Sequence, residues 1–228
     1  MNEIYILVPV YNEENTVREV VSSLINRDYN VICVNDGSQD NSANILNELK
    51  ESYPSKINIY THLINMGLGA ALKTGMLAAI KLNAKYLVTF DADGQHNIED
   101  IPKVTKPLIE DKADVVIGVR SFEDMPLTRR LGNQGMNLVT KIFYGADVSD
   151  SQSGLRSFKC KVLKKIHLRT FDYGISSEII KEVQKNNFKM MEVGIETIYT
   201  DETQNKGTDT FVAIKIILKM IINKIKGV

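Results

Sequence analysis

The chain has 228 residues, enough for one sizeable α/β domain or two small ones. Its 28 Lys and Arg balance 28 Asp and Glu, so bulk charge gives no reason to expect a nucleic-acid partner. Two cysteines without metal-ligand spacing exclude a disulfide scaffold and a thiolate zinc site, and fit a reducing, cytoplasmic compartment.

The first half alternates strand-like and helix-like patterns. Residues 4–8 form a compact apolar run, and the start of the chain leads straight into it, so no signal peptide is expected. Val17, Val20, Val21, Leu24 and Ile25 then recur at helical spacing. A second apolar run, 31–34, ends in the turn signal Asp36-Gly37-Ser38. Ile45, Leu46 and Leu49 mark a helix, and 57–60 a third strand. Residues 68–82 read as a helix, 86–90 as a strand, 98–109 as a helix and 115–118 as a strand. This alternation predicts βαβ units and a mostly parallel sheet flanked by helices.

The second half is less regular. A helix is expected at 131–143 and a polar loop leading into a short strand at 150–158. An amphipathic helix follows at 176–185, then a strand at 190–197 and a polar, mobile segment at 199–210. No apolar stretch reaches the length needed to span a bilayer. From Lys206 onward there are five Lys and one Asp, a net charge of +4, which leaves −4 on the rest. Lys215, Lys219, Asn223 and Lys226 line one helical face of the apolar tail. That tail reads either as a core-packed helix with a wet Lys stripe or as an interfacial helix on lipid. The expected organisation is one domain over 1–210, with a nucleotide half (1–120) and an acceptor half (121–210), plus an amphipathic helix at 211–228.

In a parallel sheet, ligands bind beyond the carboxyl ends of the strands. Three polar clusters fall there: Pro9-Val10-Tyr11-Asn12-Glu13, Asn35-Asp36-Gly37-Ser38 and Asp91-Ala92-Asp93-Gly94-Gln95-His96. Each has a bland reading, as a Pro turn with a helix cap, an Asx turn or solvated turn carboxylates. Their convergence on one rim favours a site. Tyr11, Glu13 and Asp36 can hold a nucleoside. Asp91 and Asp93 can share a hard cation with a diphosphate, because Mg²⁺ favours one or two carboxylates plus phosphate oxygens. Gln95 can add its amide oxygen, whereas His96 is a neighbour and not an expected ligand. Asn65-Met66-Gly67-Leu68-Gly69 opens a helix whose N-terminus favours anions. Arg120 ends a strand on the same rim, and Arg129, Arg130 and Arg156 are further phosphate-binding candidates.

With these residues in place, the chain resembles the inverting family 2 glycosyltransferases of GT-A fold. Within them it is most similar to the dolichol-phosphate mannose synthase and polyprenyl-phosphate glycosyltransferase branch. The matching motifs run in family order over about residues 1–160 and include Asp91–His96, Gly118-Val119-Arg120 and Asp150-Ser151-Gln152-Ser153-Gly154-Leu155-Arg156. The resemblance implies that Pro9, Tyr11, Glu13 and Asp36 contact the nucleoside, and that Asp91 and Ala92 lie against the nucleotide. It implies that Asp93 and Gln95 ligate Mg²⁺ or Mn²⁺, and that Arg120 faces a phosphate. Arg129 and Arg156 are candidates for the acceptor phosphate, and Lys206 matches a phosphate-binding Lys. Thr200 stands where mannose synthases of this branch carry Arg, and Thr203-Gln204-Asn205 replaces their Gly-Glu-Ser.

The activity implied is metal-dependent, inverting transfer of a sugar from a nucleoside diphosphate sugar to a polyprenyl phosphate. A lipid phosphate can attack without a strong base, whereas a saccharide or glycolipid hydroxyl needs one, with Asp150 the candidate by position. A non-catalytic nucleotide-sugar-binding subunit is the remaining alternative. A nucleotidyltransferase is disfavoured, because 9–14 is neither Gly-rich nor basic. A lipid acceptor implies a membrane surface or a membrane-protein partner, hence a peripheral position on the cytoplasmic membrane face.

Overall fold

Among the described residues, seven strands form one mixed sheet in the order β3-β2-β1-β4-β6-β5-β7. The computed structural model describes residues 3–121, 127–145, 147–171 and 174–198. In chain order the elements are β1 (Ile4–Val10), α1 (Val17–Asn26), β2 (Asn30–Asn35), α2 (Ser42–Ser52), β3 (Ile57–Thr61), α3 (Leu68–Lys81) and β4 (Tyr86–Thr89). They continue with α4 (Asp100–Ile109), β5 (Val115–Arg120), α5 (Leu127–Tyr144), β6 (Arg156–Lys159), α6 (Cys160–Leu163), α7 (Ile175–Lys185) and β7 (Met190–Ile195).

The side-chain period of two divides each central strand between two cores. Ile6, Val8 and Val10 of β1 pack with Val31 and Cys33 of β2 beneath α1, α2 and α4. Leu7, Ile32 and Val34 point the other way, to α3, α6 and α7. Helices cover both faces, which is why β1, β2 and β4 read as unbroken apolar runs. Together they make one domain. The predicted strands and long helices are present, with ends shifted by a few residues. The four-residue α6 is an addition, too short to leave a periodic signal.

Two topological features place the site. Strands β2 and β4 flank β1 in parallel, so the chain reverses its order of strand addition at β1. Such a switch point opens a crevice at the carboxyl ends of the strands. Strand β6 is inserted antiparallel between β4 and β5, with Arg156 in register with Thr89 and with Ile117. Its first residue therefore lies where β4 and β5 end. The loop 150–155 is delivered to the same rim as the acidic loop after β4.

A buried side chain pins this insertion. The Thr89 hydroxyl donates to Gly154 O at 2.6 Å and accepts from the Arg156 amide at 3.2 Å. Thr89→Val keeps the shape and removes both bonds, leaving a buried amide and a carbonyl unpaired. A loss of about 1–3 kcal/mol in urea unfolding is expected. An unchanged midpoint and slope would show that Thr89 does not pin the insertion.

Candidate active site

The loops after β1 and β2 are laced together by side chains that bond to the opposite backbone. The amides of Asn12, Glu13 and Glu14 donate to Ser38 Oγ, Ser42 Oγ and Asp40 Oδ2, at 3.1, 2.9 and 3.0 Å. In return, the Gln39 and Asn41 amides donate to Asn12 Oδ1 and Glu14 Oε2, both at 2.8 Å. Asn12 adopts a left-handed backbone (φ 54°), which Asn tolerates well. The lattice satisfies loop amides and fixes Pro9, Tyr11 and Glu13 on the rim. Tyr11 is exposed, and Pro9 and Glu13 are half-buried.

Asp36 ends up inside this rim. It is 3 % exposed, and its carboxylate accepts from the amides of Met66 and Gly67 at 2.9 and 2.8 Å. It therefore ties the β2 turn to the entry of α3. Gly37 makes this approach possible. Its φ is +70°, and an added Cβ would fall 2.4 Å from the Ile64 carbonyl carbon.

The acidic loop follows β4. Asp91 Oδ2 lies 3.0 Å from His96 Nε2, and His96 is buried against the edge of Phe90. Thr197 bridges to His96, and the Ile198 amide donates to Gln95 O at 2.9 Å. The segment after β7 thus supports the loop from the outside. Asp93 Oδ1 accepts the Gln95 amide at 3.0 Å across the turn at Gly94. Ala92 is buried between the two carboxylates. Gly154 lies directly against Asp91, where a Cβ would sit 1.9 Å from Oδ2.

The two carboxylates are pushed in opposite directions. Burial raises the proton affinity of Asp91, but His96, Arg120 and Arg156 outweigh it and hold the group below the ordinary aspartate range. For Asp93, burial and the neighbouring Asp91 charge both act upward, against the Gln95 amide, and the group stays above that range. The Asp91 side chain is 39 % exposed although burial is the largest influence on it. Water reaches a carboxylate that protein atoms surround, which is the signature of a cleft floor.

Beneath the loop lies a cluster of buried charge. Arg120 grips Asp150 with two parallel bonds, Nε to Oδ2 at 2.7 Å and Nη2 to Oδ1 at 2.9 Å. The Arg120 amide and Asn133 Nδ2 add bonds at 3.3 and 3.0 Å. The guanidinium of Arg156 donates to Ser151 O and Ser176 O at 2.8 and 3.3 Å. Burial lowers its pKa to about 10, so it remains charged at neutral pH.

This geometry bears on two expectations. Asp150 is 0 % exposed and saturated by donors, and Arg120 and Asn133 outweigh burial to hold its carboxyl below the usual range. A carboxylate so placed orients Arg120 and is unsuited to take a proton from an acceptor. Arg156 is 3 % exposed and its two terminal nitrogens donate to backbone carbonyls, which places it as an interior counter-charge, away from an open face for an acceptor phosphate. Arg129 lies on α5, with its side chain outside the described residues. Lys206, the Lys-striped tail and the segment 199–210 also lie outside them. Sequence reasoning passed over Thr89, Asn133 and His62. All three act through contacts distant in sequence, on strands or helices where their residue types are unexceptional.

No three His, Cys, Asp or Glu residues among those described gather closely enough to cage a metal. The chain supplies Asp91, Asp93 and Gln95 on one turn. This donor set fits a hard divalent ion completed by substrate oxygens, not a resident structural metal.

An open sheet with carboxylates at its switch point and arginines behind them is the setting of a group-transfer enzyme. The family model "Glycosyl transferase family 2" matches residues 5–171, and the chain belongs to that family. It is 39 % identical over 240 positions to the UDP-N-acetylglucosamine–dolichyl-phosphate N-acetylglucosaminyltransferase of Methanococcus voltae, covering 97 % of this chain and 96 % of that protein. A polyprenol monophosphomannose synthase from Mycolicibacterium smegmatis is 26 % identical, over 83 % and 75 % of the two chains. Glucosyl-3-phosphoglycerate synthase from Mycobacterium tuberculosis, crystallised with Mn²⁺, UDP and phosphoglyceric acid, shares the fold. Its TM-score is 0.71 at 16 % identity, over 95 % of this chain and 78 % of that one. The protein is a GT-A glycosyltransferase.

The Asp150 clamp sets a dependence on pH. Its folded-state pKa is depressed, so its stabilisation is present above the unfolded value of about 3.9 and is lost as pH falls through the folded value. Asp150→Asn is expected to cost about 2–3 kcal/mol at pH 7, with a smaller difference from wild type below about pH 4. Urea unfolding at both pH values checks this; a pH-independent difference would contradict it.

Proposed function

We propose that the chain moves N-acetylglucosamine from UDP-N-acetylglucosamine to a polyprenyl, dolichyl-type phosphate, with inversion at the anomeric carbon. The observation that carries the reading is the acidic turn of Asp91, Asp93 and Gln95 at the carboxyl end of β4, beside the switch point of the sheet, with Gly154 packed on Asp91. The Methanococcus voltae relative, matched over nearly the whole chain, supports the donor and the acceptor.

The residues divide the work as follows. Pro9, Tyr11, Glu13 and Asp36 receive the nucleoside on the laced rim of β1 and β2. Asp91, fixed by His96 and packed on Gly154, orients the nucleotide beside Ala92. Asp93 and Gln95 hold Mg²⁺ or Mn²⁺ against the diphosphate. When bound, that ion supplies positive charge to the leaving group. Arg120, held rigid by Asp150, adds fixed positive charge to the cleft and needs no reorganisation during the reaction. The clamped Asp150 favours an acceptor that is already ionised, since a hydroxyl acceptor loses its candidate base.

Among the described residues no helix is long and apolar enough to cross a membrane. A polyprenyl phosphate acceptor calls for approach to lipid at the cytoplasmic face, for which the Lys-striped sequence 211–228 or a membrane-protein partner is suited.

Incubation of the chain with UDP-N-acetylglucosamine, a short polyprenyl phosphate and Mn²⁺ tests the reading. A β-linked sugar phosphate lipid by NMR is expected. An α-linked product, or transfer only to a sugar hydroxyl, overturns it.

Asp93→Asn is expected to lower transfer by on the order of 100-fold or more. The raised folded-state pKa of Asp93 means that stability is lost as pH rises through it. Metal-free Asp93→Asn is therefore expected to unfold at or above the wild-type temperature at pH 7, with the gain vanishing near pH 4. A lower unfolding temperature at pH 7 would contradict this account of the site.

A further inference from the structure

Three hydrogen bonds converge on the buried carboxylate of Asp36. Oδ1 accepts the Met66 amide at 2.9 Å and also lies 2.6 Å from Nδ1 of His62. Oδ2 accepts the Gly67 amide at 2.8 Å. The His62 ring is anchored on its far side, with Nε2 2.8 Å from Thr74 Oγ1 on α3. Its backbone amide donates to Asn35 O at 2.9 Å, which fixes the residue at the end of the β2–β3 pair. A carboxylate is acceptor-only, so Nδ1 is the donor to Oδ1, and a carboxylate offers about four acceptor positions. Both positions on Oδ1 are filled. One remains, on Oδ2.

We propose that His62 determines base specificity: by filling Oδ1 it leaves Asp36 a single acceptor, which selects a base with a single donor on that edge, the imide N–H of uracil or thymine, over guanine with its two. The inference deepens the UDP-sugar reading and rests on it. Guanine presents its N1–H and 2-amino donors side by side, a pair that a carboxylate meets with both oxygens. With Oδ1 filled, one of those donors stays unpaired in the site. Cytosine and adenine carry no ring N–H on that edge; each offers an exocyclic amino donor beside a bare ring nitrogen, whose lone pair faces the carboxylate. An unpaired buried donor weakens binding by on the order of 10- to 100-fold. His62 acts through Asp36 and is a positioning residue. Thr74 positions the ring in turn.

Calorimetric titration of the full chain with UDP and with GDP, each with Mn²⁺, reads the ratio of the two affinities. Wild type is expected to prefer UDP by on the order of 10- to 100-fold. His62→Ala frees Oδ1 and is expected to bring the ratio within about threefold of unity. His62→Asn, whose amide nitrogen can donate from the place of Nδ1, restores the preference. Thr74→Val shifts the ratio part of the way. A purely structural role for His62 would weaken both nucleotides together and leave the ratio unchanged. An unchanged ratio in folded His62→Ala overturns the proposal; if that variant does not fold, an unchanged ratio in Thr74→Val overturns it. Equal affinity of wild type for UDP and GDP overturns it as well. In that case, sugar transfer to polyprenyl phosphate on the same sample shows whether the donor-to-lipid reading survives. A wild type that binds neither nucleotide and transfers neither sugar overturns both.

Discussion

Two guanidinium groups and two carboxylates share the floor of the cleft, and the rest of the site depends on their balance. Arg156 is buried among backbone carbonyls, Arg120 is locked onto Asp150, and both act on Asp91 from below. Remove both cations in thought, and Asp91 keeps only His96 against its burial, beside a second carboxylate. Like charges so close cannot both stay ionised, and one proton affinity rises. With the arginines present the strain falls on one group. Asp91 stays ionised and Asp93 carries the upward shift.

This balance is a product of topology. An all-parallel continuation of the sheet would have placed the strand after β4 with its carboxyl end on the rim. The antiparallel β6 places its first residue there instead, so the loop 150–155 and Arg156 meet the acidic loop. Thr89 bonds to both sides of the junction, and Gly154 lets the loop lie flat on Asp91. Strand β7, parallel to β5, ends at the same level, and Thr197 and Ile198 brace the acidic loop. The first and second halves of the chain are thus joined through one layer of side chains.

Much of this was legible from order along the chain. The alternating apolar runs foretold the parallel strands, and polar residues after those runs foretold the rim. What pattern cannot carry is the fate of a polar side chain once the chain closes. Asp150 and Arg156 stand in a polar, Gly-containing loop that reads as exposed. Both are buried because β6 is internal to the sheet, and because Asn133 of α5 bonds Asp150 and Ser176 of α7 accepts from Arg156. His62 shows the reverse. It follows an edge strand, beside an exposed Leu and Ile, and nothing local marks it. Its partners are 26 and 12 residues away. Only the parallel pairing of β2 with β3, and the return of α3 across them, brings Asp36, His62 and Thr74 into line.

The buried arginine also bears on why such a cluster persists. Replacing a buried ionic group by well-packed apolar residues is often neutral or stabilising, so the cluster is weak evidence for stability. Its value lies in the difference it maintains between two adjacent carboxylates. Where the environment drives neighbouring groups apart in proton affinity, they can take different roles at one pH. Asp91 is charged, hydrogen-bonded and fixed, as a nucleotide-orienting group must be. Asp93 is less anchored and electrostatically unsatisfied, and it gains most from a cation. A core optimised for stability alone would remove that dissatisfaction, and with it the basis of the metal-diphosphate site proposed for this strand end.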